Sequence, residues 1–95
     1  MRRIKYSRKA RSDLQEIYDY LDESFGSQIA DKKFDQIIND IDLLGEDPYI
    51  GKKIEGNMRK WRSGPSIIIY DIEEITIEIL HVVDGRSDYF NRLFG

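Results

Sequence analysis

The sequence has 95 residues, 40% hydrophobic and 35% charged, with a formal net charge of −3, no cysteine and one histidine. That length predicts one domain, residues 1–95, able to bury a modest core of its own. The lack of cysteine excludes a disulfide framework and a thiolate metal site, His81 alone makes no zinc site, and no metal or cofactor is expected.

No apolar run approaches the roughly 18 residues of a bilayer span, and no signal-peptide core follows the basic start. A soluble cytoplasmic protein without a membrane partner is therefore expected. The opening Arg3–Tyr6 alternates Ile4 and Tyr6 with Arg3 and Lys5, which predicts a strand. We expect it to lie antiparallel to a later strand; the alternation does not give the strand order. Residues 1–11 hold six bases (Arg2, Arg3, Lys5, Arg8, Lys9, Arg11) and no acid.

Ser7 is an N-cap for a helix over Arg8–Ser24, where Ala10, Leu14, Ile17, Leu21 and Phe25 recur at helical spacing. Arg8, Lys9 and Arg11 sit in its first turns against the macrodipole, a small local cost that favours a binding role. Gly26 breaks the pattern. Ser27 caps a second helix to about Gly45, with Ala30, Phe34, Ile37, Ile38, Ile41 and Leu44 as its apolar stripe. Residues 12–50 carry eleven acids against Lys32 and Lys33. Two amphipathic helices so closely joined predict an antiparallel hairpin whose apolar face needs a sheet.

Asp47–Pro48 ends the helix, and Tyr49–Asn57 reads as a loop. Residues 51–65 are basic again: Lys52, Lys53, Arg59, Lys60 and Arg62 against Glu55 alone. If the two basic blocks meet in space, they form one patch for an acidic partner; otherwise they only balance the acidic helices. Residues 58–83 then read as three antiparallel strands, with Ser66–Ile72 and Ile75–Val83 the clearest. Their reversals fall at Ser63–Gly64–Pro65 and Glu73–Glu74. The last ten residues hold Tyr89, Phe90, Leu93 and Phe94, either as a short helix or as a tail on a groove. Their cover comes from the domain itself or from a partner. The predicted fold is α+β, β-α-α-β-β-β: an antiparallel sheet covered on one face by the N-terminal helical hairpin, then a short C-terminal helix or tail.

Over nearly its whole length this order resembles the RelE/ParE superfamily of small bacterial toxins encoded beside an antitoxin, in its ParE-like, plasmid-stabilisation branch. The likeness runs through Tyr6-Ser7, Ala10-x-x-Asp13-Leu14-x-x-Ile17, Leu44 with Asp47-Pro48, Gly51, Met58-Arg59 and Ile69-Tyr70. It continues through Glu78-Ile79-Leu80-x-Val82 to Gly85-Arg86 and Asp88. The resemblance implies a toxin of a type II toxin–antitoxin system, causing growth arrest and neutralised by a cognate antitoxin in a hetero-oligomer.

Within that superfamily, RelE-like members cleave mRNA on the ribosome with basic side chains on the sheet, and ParE-like members poison DNA gyrase. Cleavage by 2′-OH attack needs a base, a stabiliser of phosphorane charge and an acid. The family position for an arginine in the middle strand falls on Ile67 here, a later one falls near Asp84, and the terminal Tyr falls at Phe90 or Tyr89. Ile67 and Ile69 put apolar surface where a nuclease puts charge. The expectation is therefore a gyrase inhibitor rather than an enzyme. The alternatives are a ribosome-dependent mRNA interferase and an inactive relative that keeps antitoxin binding.

A nuclease built from what remains would use Arg59, Lys60, Arg62, His81, Arg86 and Tyr89. Each has a plainer role: solvated turn arginines, a packed strand histidine, a packed tail tyrosine. Trp61 could stack on a base, but a core or antitoxin contact suits it better. For a protein partner the expected contact residues are Arg8, Arg11, Lys52, Lys53, Lys60, Trp61, Arg62, Arg86, Tyr89, Phe90 and Phe94.

Overall fold

A computed structural model describes residues 1–86. Chain order is β1 (Arg3–Tyr6), α1 (Arg8–Phe25), α2 (Ser27–Glu46), β2 (Lys52–Glu55), β3 (Met58–Ser63), β4 (Ser66–Ile72) and β5 (Thr76–Asp84). The expected C-terminal helix or tail, with Tyr89, Phe90, Leu93 and Phe94, lies outside the described residues.

Local chemistry starts and joins the helices. The Ser7 Oγ accepts from the Ala10 amide at 2.9 Å and donates to the Leu80 carbonyl at 2.9 Å, so the cap of α1 is also a clasp onto β5. Gly26, at φ +85°, is the whole connection between the helices. It takes the cap position expected of Ser27, because a one-residue reversal needs the left-handed backbone that glycine adopts without strain. Ser27 is the first residue of α2, and its hydroxyl donates back to Asp22. Across the hairpin, Tyr18 donates to Asp31 at 2.6 Å and meets the Phe34 ring edge-on at 5.5 Å. That hydrogen bond to a carboxylate pushes the Tyr18 pKa up to about 12.

The sheet is five-stranded in the order β1-β5-β4-β3-β2. Its α+β layering is as the sequence predicts, with two departures. First, β1 runs parallel to β5, with Ile4 opposite Ile77 and Tyr6 opposite Ile79. An alternating tetrapeptide buries the same side chains in either direction, so its pattern cannot distinguish them. Second, Lys52–Glu55 is an edge strand, not loop, antiparallel to β3 through a tight turn at Gly56–Asn57. Ile54 is its sole apolar residue, too little for a hydrophobic signal, but a Gly-Asn pair between short runs is a hairpin signature.

The core lies between the helices and one sheet face. Ala10, Leu14, Ile37, Ile41 and Leu44 pack against Ile68, Tyr70, Ile77, Ile79 and Val82. Strand alternation sends Ile67 and Ile69 to the opposite face, here called the open face. Tyr70 anchors the loop before β2 from below. Its hydroxyl accepts from the Gly51 amide at 3.0 Å and donates to the Pro48 carbonyl at 2.7 Å. No described helix is long and apolar enough to cross a membrane.

Candidate functional site

Three surfaces offer themselves: the open face, the β2–β3 hairpin, and a groove beside α1. On the open face, register places His81, Ile69 and Lys60 in one row and Val83, Ile67 and Arg62 in the next. The centre of both rows is apolar and buried, with Ile67 5% and Ile69 0% exposed. Cationic groups stand only at the flanks.

His81 and the bulge beside it belong together. The register of β4 and β5 slips between Ile69 and Tyr70, so that Leu80 has no opposite number. The bulge turns the Val82 amide outward, where the buried carboxylate of Asp13 accepts it at 3.0 Å. Lys9, one turn back on α1, pairs with the other oxygen of Asp13. Burial pushes the His81 pKa down, with Asp13 and Lys9 acting in opposite directions on it. A neutral imidazole could accept a proton. Its Nδ1, however, is buried without a hydrogen-bond partner. Among the described residues no three acids or histidines gather to hold a metal ion.

The β2–β3 hairpin is the basic surface. Lys52 stands opposite Lys60 and Lys53 opposite Arg59, like charges facing one another on both sides of one ribbon. Such pairs cost stability when directly opposed, and an anionic partner would relieve them. Lys on an exposed edge also blocks strand addition by other chains. In the first basic block Arg3 and Lys5 lie on β1, at the other edge of the sheet, while Arg8, Lys9 and Arg11 lie on α1. Four strand steps of about 4.8 Å separate the two edges, so the bases of β1 and those of the hairpin make two patches rather than one.

Several residues singled out from the sequence have structural work. Arg59 points to the helix side, donates to the Gly51 carbonyl at 2.8 Å and covers the Tyr49 ring at 5.0 Å. Trp61 is half-buried against the core. Arg86 forks onto Asp84, with contacts of 3.0 and 3.2 Å, and this hydrogen bonding holds the Asp84 carboxyl below its ordinary range. Arg62 is exposed and donates to Gly64 at the turn. Arg8, Arg11, Lys52 and Lys53 are exposed. The structure thus joins Lys60, Arg62 and His81 on one face, and separates Arg59 and Trp61 from them. Tyr89, Phe90 and Phe94 lie outside the described residues.

The groove was not foreseen as a site. It has a volume of about 940 Å³ and lies between α1, α2, the β3–β4 turn and the end of β5; Ile17, Leu21, Phe25, Ile37, Pro65 and Val82 line it. Tyr20 and Phe25 on its rim are 63% and 49% exposed. The available signal was the C-terminal part of the α1 apolar stripe, Ile17, Leu21 and Phe25, which runs on past the buried Ala10 and Leu14.

Comparison with known proteins adds to this geometry. The family described as "ParE toxin of type II toxin-antitoxin system, parDE" matches residues 4–89. A solved structure described as the chromosomal ParDE TA system from P. aeruginosa is 24% identical, with a TM-score of 0.78 over 88% of this chain and 96% of that one. The conserved hypothetical protein HP0894 from Helicobacter pylori is 12% identical, with a TM-score of 0.51 over 88% and 94% respectively. At these identities the two structures speak for the fold. No curated protein matches the chain in sequence.

Proposed function

The chain belongs to the ParE toxin family of type II toxin–antitoxin systems, and from that premise we propose that it acts by binding a protein, DNA gyrase, and not by cutting RNA. The observation that carries this reading is the apolar centre of the open face. Ile67 and Ile69 are both buried at the centre of that face, where the resemblance to RelE-like nucleases implies charge. Cleavage needs a cation within hydrogen-bonding distance of a developing phosphorane. Lys60 and Arg62 stand to one side of these isoleucines and His81 to the other, with a strand between them.

A cognate antitoxin is the second partner in this reading, giving a hetero-oligomer in which the toxin is inactive. The like-charge pairs of the β2–β3 hairpin suit an acidic segment, and the apolar groove beside α1 suits its hydrophobic residues. The exposed Arg8 and Arg11 in the first turns of α1 offer further charge to a segment that wraps the domain.

Expression without antitoxin tests the reading in cells. A gyrase poison arrests growth, induces the DNA-damage response and leaves message intact. Growth arrest with cuts in translated mRNA at the ribosomal A site would support the interferase alternative instead. Harmless accumulation of folded protein would leave only an inactive, antitoxin-binding relative.

A further inference from the structure

The bases of the β2–β3 hairpin and the acids of α2 stand side by side without pairing. Burial pushes the Tyr70 pKa up, and on that same hydroxyl Arg59 of β3 and Asp47 at the end of α2 act in opposite directions. Both charges are therefore close to one point of the fold. Yet among the described residues no ion pair joins Lys52, Lys53 or Arg59 to an acid of the helices. The pairs are Lys5 with Glu78, Lys9 with Asp13 and Arg86 with Asp84. Arg59 is held instead by the Gly51 carbonyl at 2.8 Å and the Tyr49 ring at 5.0 Å.

Each of these charge groups is locally unfavourable. Glu46 and Asp47 are exposed at the C-terminal end of α2, whose last turn holds no base, and the helix dipole disfavours negative charge there. Lys53 is exposed directly opposite Arg59, a like-charge pair across the ribbon. Apolar surface accompanies both. Leu43, one turn before Asp47, is 38% exposed, and Tyr49, beside Arg59, is 61% exposed.

We propose that this surface pairs with a second copy of the chain, in a two-fold dimer that sets Glu46 and Asp47 of each copy against Lys53 and Arg59 of the other. A surface negative on one side and positive on the other is its own complement under a two-fold rotation, and each contact is then made twice. The contact relieves both unfavourable arrangements at once. An acidic segment of another protein relieves the bases alone and leaves the acids of α2 as they are, so a second copy fits the whole surface better. Exposed ion pairs are individually weak, and the dimer is accordingly reversible and sensitive to salt. The inference is independent of the toxin's target.

Sedimentation equilibrium of the full chain tests it, with two charge reversals that each favour the fold. Glu46→Lys puts a base at the C-terminal end of α2, and Lys53→Glu turns the pair with Arg59 into one of opposite charge. At low salt, and up to about 1 mM protein, the mass of the unsubstituted chain should rise from that of one chain to that of two and no further. It should fall back at about 0.5 M salt. Either variant alone sets like charges together at both contacts and should weaken association on the order of tenfold. An equimolar mixture of the two variants restores opposite charge at both contacts and should associate about as well as the unsubstituted chain. A chain that stays single throughout at low salt, growth beyond two copies, or a mixture that associates no better than either variant alone would each overturn the proposal.

Discussion

The Asp13 carboxylate on α1 accepts the backbone amide of Val82 on β5 at 3.0 Å, across 69 residues of chain. This bond docks the helical hairpin on the one stretch of β5 that β1 does not pair, and it satisfies an amide that the bulge at Leu80 turns away from β4. Replacing Asp13 by Ala leaves that amide buried and unpaired. The expected loss is about 2 kcal/mol of unfolding free energy, the usual size for a hydrogen bond to a charged acceptor. Asn at the same position, which keeps an acceptor oxygen, should lose less. Urea denaturation of the two variants checks the order.

Gly51 and Tyr70 form a second such pair. A Cβ on Gly51 would lie 2.3 Å from the Tyr70 hydroxyl and 2.7 Å from the Lys60 carbonyl, so Gly51→Ala must displace the loop or the ring. Tyr70→Phe removes the hydroxyl that serves both Gly51 and Pro48. Each change should cost roughly 1–3 kcal/mol. The double variant should cost less than the sum, because Phe removes the closest of the three clashes, although the Lys60 carbonyl and the ring Cε1 still crowd the new methyl. Thermal unfolding of the three proteins measures this coupling.

How far the sequence led can be read from these same residues. The helical hairpin was legible because Ser7, Gly26 and the apolar spacing agree on its limits, and β4 because three consecutive isoleucines leave little else. The direction of β1 was hidden, since a strand of four alternating residues fits either sense. The role of Asp13 was hidden for another reason: its partner is a backbone amide exposed by a bulge, which no local pattern marks. Charge alone selected Arg59 with Lys60 and Arg62. Alternation sends Arg59 to the helix side, a division visible only once β3 is registered against β4.

His81 makes stability depend on pH. Burial lowers its pKa from the ordinary 6.5, so the folded protein holds it neutral while the unfolded chain protonates it. The unfolded state then binds more protons, and stability rises with pH across that interval. The contribution is complete above about pH 6.5 and declines as pH falls toward the lowered value. His81→Gln should flatten this part of the profile. Unfolding free energies measured between about pH 5 and 7.5 decide it.

On the β2–β3 hairpin, Lys52→Glu converts a like-charge pair with Lys60 into an opposite-charge pair. Stability should rise by a few tenths of a kcal/mol at most, because the site is exposed. Affinity for an acidic antitoxin segment should fall by on the order of tenfold. Calorimetric titration at two salt concentrations separates the effects: the wild-type affinity should weaken with salt more steeply than that of the variant.

Gyrase is the proposed target of this toxin. Supercoiling of relaxed plasmid by purified gyrase, with the purified toxin added at micromolar concentration, tests it most directly. The expected result is loss of supercoiling, restored when the antitoxin is added first. Undiminished supercoiling by active gyrase, together with ribosome-dependent cleavage of a translated message by the same preparation, would contradict it.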